Sequence, residues 1–221
     1  MIVQAKLYLG NRRYSSWSLR GWLMVRLAGL QAEEVVIPMQ MDATPAIKAV
    51  SPSGLVPFLE HEGARVWDSL AIAEYCAELA PCLWPADRLA RAHARSISAE
   101  MHAGFRDLRQ AMPMNLGRDD LGGVGHNTAC LADIARIETV WGETRAAFGG
   151  GGPFLFGDVF NAADAMFAPV VARLLTYQPP LGAVAQAYCA AVRKQELVAE
   201  WYDLAAAEPV AWLLEKYEGV K

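Results

Sequence analysis

Apolar positions along the first eighty residues change period several times. From Ile2 to Leu9 they alternate, with Leu7 and Leu9 on one side and Lys6 and Tyr8 on the other, which predicts a strand. After a polar turn at Gly10–Arg13, the residues Leu19, Trp22, Leu23, Leu27 and Leu30 recur at helical spacing, joined by the stem of Arg26. Gly29 is placed to stop that helix. Glu34–Pro38 predicts a short strand, and Thr44-Pro45 the N-cap and first residue of a second helix. Two more strands, Leu55–Glu60 and Ala64–Trp67, flank a Glu62-Gly63 turn. Asp68 or Ser69 then caps a helix with Ile72, Tyr75, Cys76 and Leu79 on its apolar face. The predicted order is β-α-β-α-β-β-α. Pro81 and Pro85 bracket a break. Beyond it only helical periods occur, over residues 88–115, 128–147, 162–176, 183–193 and 195–217, the last restarted at Pro209. The pattern divides the chain into an α/β unit over 1–81, a linker over 82–92 and an all-helical unit over 93–221.

Composition narrows the classes. The 221 residues are 54% apolar and 20% charged, far too apolar for a disordered chain. The net charge of −4 is spread evenly and the isoelectric point is about 5.6, which argues against a nucleic-acid binder. The apolar run Ala165–Ala172 is eight residues long and contains Pro169, so no membrane span is expected. The first residues lack the pattern of a secretory leader. Cys76, Cys82, Cys130 and Cys189 form no C-x-x-C pair, and the four histidines show no metal-ligand spacing. A reducing cytoplasm and no bound metal are the expectations.

Three local features carry possible chemistry. Tyr14-Ser15-Ser16-Trp17-Ser18-Leu19-Arg20 falls at a strand-to-helix turn. Hydroxyls there cap a helix, but a helix N-terminus also favours an anion, and a serine can donate to a thiolate. Ser53-Gly54-Leu55-Val56-Pro57-Phe58-Leu59 interrupts a strand with proline. A cis Val56-Pro57 bond would offer the Val56 backbone to an extended peptide ligand. Asp68-Ser69 is an ordinary cap or a second anion site, with Asp68 free for an ammonium.

In this order and spacing the three features resemble the glutathione transferase family. Leu7–Arg20 resembles the zeta class and related bacterial serine-type enzymes, with their S-S-x-S-x-R core. Ser53–Leu59 resembles the cis-proline segment, and Asp68–Tyr75 the acidic-Ser-x-Ala-Ile motif. Gly157-Asp158-x-x-Asn161-x-x-Asp164 resembles the family's N-capping box. The resemblance implies a thioredoxin-like domain followed by a helical domain, and a homodimer. Glutathione is the implied co-substrate, transferred as a thiolate onto small apolar electrophiles in a detoxifying role. Ser69 and Asp68 would hold its γ-glutamyl group, Val56 its cysteinyl amide beside Leu55 and Pro57, and Ser15 or Ser16 its sulfur. Ser15 is the favoured donor.

Two departures from the family pattern matter. Leu55 stands where many bacterial relatives have Lys or Gln, so the glycyl carboxylate falls to Lys48, Gln40 or Arg13. Maleylacetoacetate isomerases of the zeta class have Cys at the position of Trp17 and Arg at that of Thr176, with Arg173 here one turn earlier. A glutathione-dependent cis-trans isomerase is therefore the alternative activity, and a non-catalytic glutathione-fold binding protein a third reading. Met101, Phe105, Met112 and Met114 are either core or, with Trp17, the wall of an electrophile pocket.

Overall fold

The computed structural model describes residues 5–39 and 43–221, the side chains of 43 and 44 excepted. Gln40 lies outside the described residues. The N-terminal unit runs β1 (Ala5–Leu9), α1 (Ser16–Leu27), β2 (Glu33–Val36), α2 (Ala43–Val50), β3 (Phe58–His61), β4 (Ala64–Val66) and α3 (Ser69–Leu79). The sheet order is β2-β1-β3-β4, with β1 parallel to β2 and antiparallel to β3, and β3 antiparallel to β4. Leu7 and Leu9 of β1 are buried, as their alternation requires. Helix α1 ends in a Schellman turn: Leu30 N–H reaches Val25 O, Gly29 N–H reaches Arg26 O, and Gly29 takes φ +69°. Helix α2 begins at Ala43, so Thr44 lies inside it rather than capping it. Strand β3 starts only at Phe58, because Pro57 has no N–H to pair.

The helical unit comprises α4 (Arg88–Ala103), α5 (Arg106–Ala111), α6 (Thr128–Phe148), α7 (Ala162–Tyr177), α8 (Ala183–Lys194), α9 (Glu196–Ala206) and a short α10 (Glu215–Glu218). The helix expected over 88–115 is broken. A side chain at Gly104 would meet Glu100 O at 2.8 Å, and Phe105 adopts left-handed backbone at φ +58°. Helix α5 then stops short of Pro113. Pro209 likewise ends the last long helix, and the chain continues as a 3₁₀ turn at Val210–Trp212 and then α10.

Helix α7 is buried at nearly every position, the burial of a helix apolar on all sides. It packs on α1, and the two units share one hydrophobic core. The carboxyl-terminal segment returns to the N-terminal unit. Glu208 accepts hydrogen bonds from the backbone of Arg12 at 2.6 Å and of Arg13 at 3.3 Å. Tyr14 donates to Glu218 at 2.5 Å and its ring stacks on Tyr217. Among the described residues no helix is long and apolar enough to cross a membrane.

Candidate functional site

The N-terminus of α1 is built by serines. Ser15 is the N-cap, its Oγ accepting from Ser18 N–H at 3.2 Å. Its hydroxyl donates to Ser18 Oγ at 2.8 Å, which also accepts from Gly10 N–H at 2.9 Å. Ser16, the first helical residue, accepts from Arg173 Nη2 at 3.3 Å. All three serines are buried. The neighbouring tyrosines are committed elsewhere: Tyr8 donates to Glu60 and Tyr14 to Glu218. Burial and that carboxylate push the Tyr14 hydroxyl up to about 12.

A cleft of about 360 Å³ lies between the units, lined by Trp17, Ser53, Leu55, Val56, Pro57, Trp67, Asp68, Ser69 and His102. The Val56–Pro57 peptide is cis, as is Trp67–Asp68. Pro57 sits against Gly21 of α1, where a Cβ would come within 2.7 Å of the proline ring. Asp68 caps α3 through Oδ1, accepting from Leu70 N–H at 2.9 Å and Ala71 N–H at 3.4 Å. Its Oδ2 lies 3.1 Å from His102 Nε2. Ser69 beside it is fully buried, and its Oγ has no hydrogen-bond partner among the described residues. A polar atom buried without a partner costs free energy unless a ligand supplies one.

Next to the cleft wall three arginines converge. The Arg20 and Arg109 guanidinium carbons each lie 4.8 Å from the centroid of the Trp17 ring. Arg20 is fully buried; Nε donates to Met166 O, while Nη1 and Nη2 have no hydrogen-bond partner among the described residues. Burial, then the charges of Arg109 and Arg173, push Arg20 well below the usual arginine range. Burial takes Arg173 down to about 10. Among the described residues none of the three forms an ion pair, though Asp133 acts on Arg109 from further away.

The structure thus gathers Trp17, Leu55, Val56, Pro57, Asp68 and Ser69 around one cleft. Lys48 is exposed, its stem against Gly54, and among the described residues it has no ion-pair partner. Arg13 instead faces Glu218 at 3.8 Å. Met101, Phe105 and Met112 are buried in the core rather than forming the wall of this cleft. Two of them serve through backbone: Met101 O accepts from Arg109 and Met112 O from Arg173. His102, Trp67 and Arg109 were not anticipated from sequence. Arg173 carried a legible signal, a lone cation in the otherwise apolar later turns of α7.

A thioredoxin-like sheet unit joined to a helical unit, with a cis-proline cleft at their junction, defines a class of glutathione-fold proteins. Family models for the glutathione S-transferase N-terminal and C-terminal domains match residues 14–79 and 125–206. The chain belongs to the glutathione S-transferase family. It is 30% identical over 167 residues to a maleylacetoacetate isomerase of Rhizobium meliloti, covering 71% of this chain and 76% of that one. A probable maleylacetoacetate isomerase of Caenorhabditis elegans is 26% identical over 170 residues, covering 75% and 76%. Among solved structures, a zeta-class maleyl pyruvate isomerase superposes with TM-score 0.71 at 24% identity, covering 93% of this chain and 99% of that one. A Burkholderia glutathione transferase homologue with bound glutathione gives 0.69 at 22% identity, covering 92% and 99%.

Proposed function

We propose that the cleft binds glutathione and activates it as a thiolate, with Ser15 donating to the sulfur. The observation that carries this reading is the buried, unpartnered Ser69 hydroxyl facing the cleft at the start of α3. With the α3 N–H groups it suits the γ-glutamyl carboxylate, and Asp68 suits the ammonium. Val56 takes the cysteinyl amide, and Lys48 the glycyl carboxylate.

The energetics are sufficient. A free thiol titrates near about 8.5, and the thiolate is the nucleophile. Ionising it near pH 7 takes a shift of about 2 units, roughly 2.7 kcal/mol. One hydrogen bond to a charged group supplies about 1.5–3 kcal/mol, and the α1 N-terminus about 0.3–1 more. No general base is needed. Calorimetric titration with glutathione tests the site: Ser69→Ala and Asp68→Asn should weaken binding, and unchanged affinity in both would overturn the assignment. Turnover by Ser15→Ala and Ser16→Ala tests the donor.

For the electrophile, transfer onto small apolar acceptors is the first reading. A specific observation favours the second, isomerisation of a cis-enone acid: Arg20 keeps two buried nitrogens without a partner among the described residues, and Arg109 and Arg173, neither in an ion pair there, lie with it next to Trp17 and Ser16. Buried cations are costly unless paired, so a substrate carboxylate would complete them. The thiolate would add to the double bond, the resulting single bond would turn, and elimination would return thiolate and the trans acid. Parallel assays with an aryl halide and with maleylpyruvate separate the readings. A homodimer, tested by sedimentation at low concentration, and a detoxifying role in a reducing cytoplasm belong to the same proposal.

A further inference from the structure

We infer that Ser18 is a positioning residue that sets the direction of the Ser15 proton, and so the strength with which Ser15 holds a thiolate. The inference rests on Ser15 being the thiolate donor. A hydroxyl has one proton to give and two lone pairs to receive. In the structure the Ser15 proton points at Ser18 Oγ, an oxygen with no exposure. Ser18 Oγ receives that proton and the Gly10 N–H, which fills both its lone pairs. The Ser18 proton itself has no acceptor among the described residues. Ser15 Oγ, which receives only Ser18 N–H, has one lone pair left.

A bound thiolate resolves this imbalance. Ser15 turns its proton to the sulfur, and a small rotation of Ser18 gives the Ser18 proton to the unused lone pair of Ser15. Every donor then has an acceptor. The chain runs one way, from Gly10 N–H through the Ser18 and Ser15 hydroxyls to the sulfur, and each bond polarises the next. No covalent bond changes within this chain; the thiol proton leaves to solvent when the thiolate forms. Gly10 anchors the far end. A Cβ there would come within 2.8 Å of the Met39 sulfur and in contact with Ser15 Cβ at 3.4 Å, so Gly10 packs closely beside the serines.

The test is the acidity of glutathione bound to the whole protein, read from the ultraviolet absorbance of its thiolate against pH. Affinity is measured alongside at about pH 5, where the bound thiol is protonated. Ser15→Ala should return the thiol toward about 8.5. Ser18→Ala should raise it by about half a unit, about a threefold fall in the acid dissociation constant, with affinity at the acid pH changed less than about twofold. Ser18→Cys keeps the volume with a weaker donor and should give the same shift should the alanine variant fold poorly. If Ser15→Ala moves the thiol and neither Ser18 variant does, the Ser18 role is overturned while the Ser15 donor stands. If Ser15→Ala leaves the thiol unmoved, the donor assignment itself fails. Lost affinity without a shift would mark Ser18 as merely structural and also overturn the inference.

Discussion

The caps of α7 and α3 use the same residue chemistry and end in different states. At α7, Asn161 accepts from Ala163 N–H at 2.9 Å, and Asp164 accepts from Leu155 N–H, Asn161 N–H and the Tyr188 hydroxyl, each at 3.0 Å. The described polar groups there are matched, and the carboxylate is buried. At α3, Asp68 is more than half exposed and shared with His102, and Ser69 Oγ is left alone. A closed set of hydrogen bonds holds a fold together. An open set at a helix N-terminus, facing a cleft, leaves a place for a ligand.

The comparison breaks most easily at Asp164. Asp164→Ala should destabilise by about 3–4 kcal/mol, since it orphans two buried N–H groups and a hydroxyl. For a chain of this size that lowers Tm by roughly 6–16 °C in a thermal melt. Its pH signature is distinctive. Burial pushes the Asp164 carboxyl up to about 6, above its ordinary value of 3.8. Between those values the native state holds a proton that the unfolded chain has released. The contribution is therefore fully present below the unfolded value and lost as pH rises through the native one. Denaturant titrations of wild type and Asp164→Asn across that window should show this slope only in the wild type.

Next in size, Ser15→Ala should cut turnover at neutral pH by about tenfold to a hundredfold, the worth of one hydrogen bond to a charged sulfur. Ser16→Ala should cost less. Ser69→Ala sharpens the contrast by opposing signs. Glutathione affinity should fall by about tenfold, while unfolding free energy stays level or rises slightly because an unpartnered buried hydroxyl is removed. A loss of stability comparable to that of Asp164→Ala would show that the two caps are alike. Lys48→Ala, at the exposed rim, should weaken glutathione binding only about twofold to threefold, and less at high salt.

Much of this architecture is local and was legible in the residues themselves. Leu7 and Leu9 alternate with polar neighbours, Gly29 ends α1, and Asn161 with Asp164 announces α7; β3, expected from Leu55, begins only at Phe58. Val56 and Asp68-Ser69 of the cleft were legible for the same reason, since each lies at an element boundary marked by turn or cap chemistry, as does Ser15, which caps α1 beside the cleft residues without being one of them. The arginine cluster was not. Residues 20, 109 and 173 lie on three helices, and only the packing of α1 on α7 and the approach of Arg109 to the Trp17 ring assign them to one place. The break after α4 escaped because Phe105 adopts a left-handed backbone with no residue-type signal. Met101 and Met112 were read by their side chains, whereas their part near the site is played by carbonyls, which every residue type shares.

The return of the carboxyl-terminal segment has a consequence for biosynthesis. The loop before the serine turn of α1 owes hydrogen bonds to partners 195 to 204 residues further along. A nascent chain emerges from the ribosome in order, and the N-terminal unit can form its own sheet early. Arg12, Arg13 and Tyr14 still wait for Glu208 and Glu218, which are made long after them. The turn that leads into α1 is thus completed only after the helical unit has emerged.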